Sequence, residues 1–133
     1  MITLYELMFN SKESLTFDDF IILPSKITQP TNEIQINYQI DYDVQFDNPF
    51  ISAPMDTVTD HTMAHAMHKS GGLGVIHYNQ SIDSQVGMLE LVRKQNPNAN
   101  LAAAVSTHLE DRKRIDQVTQ HAQIIFLDSA QGC

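Results

Sequence analysis

Cysteine is nearly absent from this sequence: Cys133 is the only one, so no internal disulfide can form and stability must come from packing. The six histidines and this one cysteine never fall into a paired zinc spacing, which argues against a structural zinc site. Basic residues are scarce as well. Eight Lys and Arg stand against 16 Asp and Glu, a formal net charge of −8, and that diffuse field repels phosphate backbones and anionic membranes. Neither nucleic acid nor a membrane is an expected partner. No apolar run approaches the roughly 18 residues that span a bilayer. The start Met1-Ile2-Thr3-Leu4-Tyr5-Glu6 also lacks the basic head and apolar core of a signal peptide, so a cytoplasmic protein is expected. Phosphate-cradling glycine motifs are missing too: neither the dinucleotide fingerprint nor a Walker motif follows any apolar run. The Gly71-Gly72-Leu73-Gly74 cluster precedes such a run instead and reads as a helix C-cap with a tight turn.

What remains is a globular composition, 42% hydrophobic and 18% charged, in one domain-sized chain. Leu15 to Leu23 is apolar around Asp18-Asp19 and stops at Pro24, predicting a short extended segment ending in a turn. From Ser25 to Asn48 the chain is polar with weak alternation at Ile34, Ile36, Tyr38 and Ile40, predicting peripheral strands or an extended arm over residues 1–48. From Pro49 a regular alternation begins. Phe50 to Met55 reads as a strand, and Thr59 to Ser70 as a helix with Met63, Ala64, Ala66 and Met67 at helical spacing. Leu73 to His77 is a second strand, followed by a helix opening at the N-cap candidate Ser81 and carrying Ile82, Val86, Leu89 and Val92. Leu101 to Val105 is a third strand, Leu109 to Gln120 a helix with Ile115 and Val118 inward, and Ile124 to Leu127 a fourth strand. Short apolar strands separated by helices predict a parallel sheet in an α/β fold, either a TIM barrel or a doubly wound sheet.

In such folds ligands gather at the C-terminal ends of the strands. Four tips then become candidates: Ala53-Pro54-Met55-Asp56-Thr57, His77-Tyr78-Asn79, Ser106-Thr107-His108 and Asp128-Ser129-Ala130-Gln131-Gly132. Each has a plainer alternative, because Asp56, Ser81 and Asp128 are all residues that cap helices or satisfy loop amides.

Five ordered blocks, LTFDDFIILP, ISAPMDTVTD, GGLGVIHYNQSIDSQ, STHLEDRKRID and LDSAQG, resemble the IMP dehydrogenase and GMP reductase family. The resemblance implies a (β/α)8 barrel, of which residues 49–133 correspond to strands one to four behind an N-terminal arm. It implies that Ala53 and Met55 contact the nucleotide, with Met55 near purine and ribose. Some members carry Ser where this chain has Ala53, so a hydroxyl contact is absent here. It further implies that Thr107 and His108 form the segment that stacks on the adenine of NAD. Asp128, Ser129 and Ala130 resemble the nicotinamide-ribose segment, where a carboxylate accepts ribose hydroxyl hydrogen bonds and Ala130 stands in place of a Ser.

The APMDTV and DSAQG stretches fit the dehydrogenases, since the reductases resemble ANMDTV and DVANG or DIAHG. The short connection between Gln85 and Leu101 instead matches the reductases, because most dehydrogenases insert regulatory CBS modules there. The dehydrogenase is favoured, with an NADPH-dependent GMP reductase segment or a non-catalytic nucleotide-binding fragment as alternatives. In the family a cysteine thiolate adds to purine C2 from a loop beyond the sixth strand, beside a potassium site, and neither that loop nor the phosphate-binding glycines occur in these residues. Cys133 therefore matches no catalytic motif, and no catalytic residue is expected in this chain. Four strands with open edges imply a complementary C-terminal half of the barrel, lost by truncation or supplied by another chain, and the family implies a homotetramer.

Overall fold

The computed structural model describes residues 16, 18, 21, 23, 29–41 and 44–130. Most of the LTFDDFIILP run, its predicted stop at Pro24, and Gln131, Gly132 and Cys133 lie outside the described residues. The chain divides into two units, Met1–Ile34 and Gln35–Cys133. In the first, Pro30 leads into a 3-10 turn over Thr31–Glu33 with no buried residue.

The second unit opens with an antiparallel hairpin, β1 (Tyr38–Asp41) and β2 (Val44–Phe46), in which Tyr38 stacks on Phe46 at 6.4 Å between ring centroids. Strands β3 (Ile51–Ser52), β4 (Leu73–Ile76), β5 (Ala102–Ser106) and β6 (Ile124–Asp128) then form one sheet in the order β3-β4-β5-β6, parallel at every pairing. Helix α1 (His61–Lys69) joins β3 to β4 and α2 (Ile82–Gln95) joins β4 to β5; a 3-10 turn (Leu109–Asp111) running into α3 (Arg112–Val118) joins β5 to β6.

Side chains alternate across the strands and build a separate core on each face. Ile76 and Ala103 on one face pack with Ala64 of α1, Leu89 and Val92 of α2 and Val118 of α3, so all three helices cover the same side. Leu73, Val75, Ala102 and Ala104 face the other way, where Phe46 and Val44 of the hairpin close over them. A strand order equal to chain order, with every crossover on one face, is single winding. A doubly wound sheet would place helices on both faces. The observed class is α/β, a parallel sheet of βα units.

Two glycines set the joints. Gly71 ends α1 at φ +86°, where any Cβ would also meet Asp47. Gly74 lies in β4 directly under Ala64, and its lack of a side chain lets α1 approach the sheet. Gly71 fits the C-cap and tight turn read from the glycine cluster, whereas Gly74 belongs to the strand that follows. Elsewhere the elements are shorter than the hydrophobic pattern suggests. The first strand pairs only over Ile51–Ser52, because the Ala53 carbonyl is already taken by Met55 N (2.9 Å) and by Thr59 Oγ1 (2.6 Å), turning the chain away from the ladder. Helix α1 starts at His61 and not at Thr59. Asp60 is its N-cap, accepting from Met63 N at 2.9 Å, while Thr59 Oγ1, its one proton given to the Ala53 carbonyl, is hydrogen-bonded to the Ser52 hydroxyl at 2.8 Å. Ser81 caps α2 through Ser84 N, as its position predicts. Among the described residues no helix is long and apolar enough to cross a membrane.

Candidate functional site

Parallel pairing brings the C-terminal ends of β3, β4, β5 and β6 to one end of the sheet. After β3, the turn from Ala53 to Thr59 is drawn tight by Val58 N and Thr59 N, both donating to Met55 O at 2.9 Å. This leaves Ala53 and Met55 exposed, with Met55 presenting an apolar side chain to solvent. Asp56 caps no helix. Its Oδ2 accepts from Asn79 Nδ2 at 2.9 Å, tying the loop after β3 to the loop after β4.

After β4, His77 is buried and its Nδ1 is the buried side-chain nitrogen or oxygen that lacks a partner among the described residues. Gln80 folds back over it, donating from Nε2 to His77 O at 2.8 Å, while its Oε1 accepts from Ser84 Oγ at 2.7 Å. After β5, Ser106 sits opposite Asp128 of β6 in the ladder, so the two polar tips adjoin. Ser106 Oγ accepts from His108 N at 3.2 Å, and the Thr107 and His108 side chains are exposed. His108 precedes the 3-10 turn, but its side chain makes no capping bond there. Asp128 is half-buried and makes no ion pair among the described residues; Ser129 and Ala130 beyond it are exposed.

A buried polar group behind these tips escapes the hydrophobic pattern. Arg114 of α3 is only 9% exposed. Its Nη1 donates to Gln85 Oε1 (2.9 Å), its Nη2 to Gln80 O (2.9 Å) and its Nε to Asp111 Oδ1 (3.1 Å). Gln85, fully buried on α2, passes the connection to the sheet by donating to Ala104 O at 2.8 Å. Asp111 Oδ2 accepts from Ser106 N at 3.2 Å. Partial burial pushes the Asp111 carboxyl up, yet hydrogen bonds from Ser106 and Arg114 outweigh that and hold it below the ordinary 3.8. The spacing contained a signal for this cluster: Arg114 is one helical turn before Val118 and shares its inward face. Helix periodicity counted only apolar residues and passed over it.

Ala53, Met55, Thr107, His108, Asp128, Ser129 and Ala130 therefore all lie on strand-tip segments, although only the tips after β5 and β6 are strand neighbours. The exposed imidazole, the half-buried carboxylate without an ion partner and the exposed hydroxyls have the chemistry that stacks on a base and accepts sugar hydroxyls. Among the described residues no group of three or more His, Cys, Asp and Glu side chains is arranged to hold a metal.

A family model described as IMP dehydrogenase / GMP reductase domain matches residues 14–133. The chain is 40% identical over 84 residues to the inosine-5'-monophosphate dehydrogenase of Bacillus subtilis, an alignment covering 63% of this chain and 17% of that protein. It is 34% identical over 113 residues to the protein of the same name from Borreliella burgdorferi, covering 85% of this chain and 28% of that one. The alignments thus span less than a third of either relative. A match over nearly the whole sequence, on a parallel sheet of βα units, makes the chain a member of the IMP dehydrogenase / GMP reductase family.

Proposed function

We propose that the chain is the first half of a (β/α)8 barrel of the IMP dehydrogenase type, supplying nucleotide and cofactor contacts for the NAD-dependent oxidation of IMP to XMP in guanine nucleotide biosynthesis. The observation that carries this reading is the single winding of β3 to β6, with every helix on one face, in a chain of this family. Met55 packs against purine and ribose beside Ala53. His108 stacks on the adenine with Thr107 at its edge, and the segment Asp128-Ser129-Ala130 lines the nicotinamide ribose, with Asp128 accepting its hydroxyls. Bound NAD supplies the hydride acceptor. No residue of this chain is assigned the covalent step, which belongs with the potassium site to a complementary half of the barrel. The half-built outer side of β6 supports that complement: Leu127 is 71% exposed, whereas β5 is buried throughout. The assembled enzyme is expected to be a cytoplasmic homotetramer.

A GMP reductase segment using NADPH is the second reading. It is favoured by the short connection from α2 to β5, which Arg93 closes by donating to Pro97 O (2.8 Å) and Ala99 O (2.9 Å). The test is reconstitution with a complementary half. NADH formation from IMP is the expected result. NADPH consumption with GMP would transfer the chain to the reductase reading, and nucleotide binding without either turnover would leave a non-catalytic binding fragment.

A further inference from the structure

We infer that Arg114 is a positioning residue that holds the loops after β4 and β5 in one frame, setting the dinucleotide segment Thr107–His108 relative to the nucleotide segment Ala53–Met55. The inference rests on the roles proposed above for those two segments.

The geometry is directional. A guanidinium offers a planar fork of donors, and this one sends three of them to three different elements: Gln85 on α2, the Gln80 carbonyl after β4, and Asp111 in the turn after β5. From Asp111 the connection runs to Ser106 N, and from Ser106 Oγ to His108 N, the backbone of the proposed adenine contact. From the loop after β4 it runs through Asn79 to Asp56, next to Met55. Every step is a hydrogen bond of 3.2 Å or less, apart from the adjacent backbone of Asn79 and Gln80 and of Met55 and Asp56. Burying a charge in this way is a poor route to stability, because well-packed apolar residues of similar volume often serve as well or better. What an apolar residue cannot do is fix two loops and a helix at defined angles. A lysine, with one nitrogen on a flexible stem, cannot satisfy the three acceptors together either.

The test uses the full chain. Amide hydrogen exchange should quicken about tenfold or more at Ser106 and His108 in Arg114→Gln, since both amides depend on the Asp111 and Ser106 side chains that Arg114 steadies, while core amides such as Leu89 keep their wild-type protection. Arg114→Lys should keep the Asp111 contact, restoring protection at Ser106 more than at the loop after β4; it also supplies the measurement if Arg114→Gln does not fold. In NAD titration the wild-type chain should bind more tightly than Arg114→Gln, with IMP binding changed less than NAD binding. Unchanged exchange at Ser106 and His108, or an equal rise throughout the core, would overturn the inference. So would NAD binding that is the same in wild type and variant. Selective loosening in Arg114→Gln, with a wild-type chain that binds no NAD, would uphold the coupling between loops and remove the cofactor assignment of Thr107 and His108.

Discussion

At the N-terminal ends of the strands four polar side chains are spent on backbone. Asn48 Nδ2 donates to Ser70 O (2.6 Å), Asn100 Nδ2 donates to Gln45 O (2.9 Å), Gln123 Oε1 accepts from Leu101 N (2.9 Å), and Arg93 spans Pro97 and Ala99. At the C-terminal ends the backbone is held from behind by Arg114, Asp111 and Gln85, while Met55, Thr107 and His108 reach the exposed surface with their side chains unused. Polar groups at one end close the fold. At the other they remain available to a ligand, the division of labour expected of parallel α/β architectures. The same residue type stands at each end: Arg93 ties the turn after α2 to Gln123 ahead of β6, and Arg114 ties α2 to the loops after β4 and β5.

Substitutions at the N-terminal end should therefore cost stability, and those at the exposed tips should cost only binding. The largest loss is expected for Gly71→Ala, which combines a φ of +86° with a collision against Asp47; about 3 kcal/mol should appear in urea denaturation. Arg93→Ala removes a charged donor from two carbonyls and from Gln123 and should cost about 2 kcal/mol, with nucleotide binding unchanged.

Acid should act through two carboxylates on the C-terminal side of the sheet, Asp60 after β3 and Asp111 after β5. Asp60 is held below the ordinary 3.8 mainly by the Met63 N–H it caps, against partial desolvation and with help from His61; Asp111 is held low by Ser106 and Arg114 despite its burial. A carboxylate whose folded value is depressed contributes stability above its unfolded value and loses it as pH falls through the folded one. Urea midpoints should accordingly decline as pH drops below about 4, and Asp60→Asn or Asp111→Asn should flatten that decline. At neutral pH, Asp60→Ala should cost about 1 kcal/mol through the lost cap.

The smallest stability effect belongs to His108→Ala, within about 0.5 kcal/mol, because its side chain caps nothing. The same change should weaken NAD about tenfold, in line with one lost stacking contact, and leave IMP binding nearly untouched. A His108 variant that lost stability as Arg93→Ala does would erase the contrast between the two ends.

Much of the architecture was readable in the chain. Four apolar runs, the Ser81 cap, the glycine joint at Gly71 to Gly74 and the polar tips at Met55, His108 and Asp128 all follow from periodicity and turn chemistry, which are local properties. The hairpin at Tyr38 to Phe46 was only faintly legible. Its alternation is weak because, among its described residues, Phe46 alone is buried, and it is buried by a sheet that lies far ahead in sequence. Of the cluster around Arg114, the sequence carried only the inward helical position of the arginine, not its partners. Gln85 lies 29 positions from Arg114 and Gln80 lies 34, so nothing in local spacing announces that they meet.

The sequence by itself determined which segments become strands and helices, where they turn, and which residue types stand at the strand ends, because backbone propensity and amphipathic period act over a few residues. Tertiary structure alone decided that the three helices take one face, that the first strand stops after two residues, and that one buried guanidinium joins two loops to a helix. Those outcomes depend on partners brought together by packing, and a charge becomes a hub only once burial has removed the water that would otherwise satisfy it.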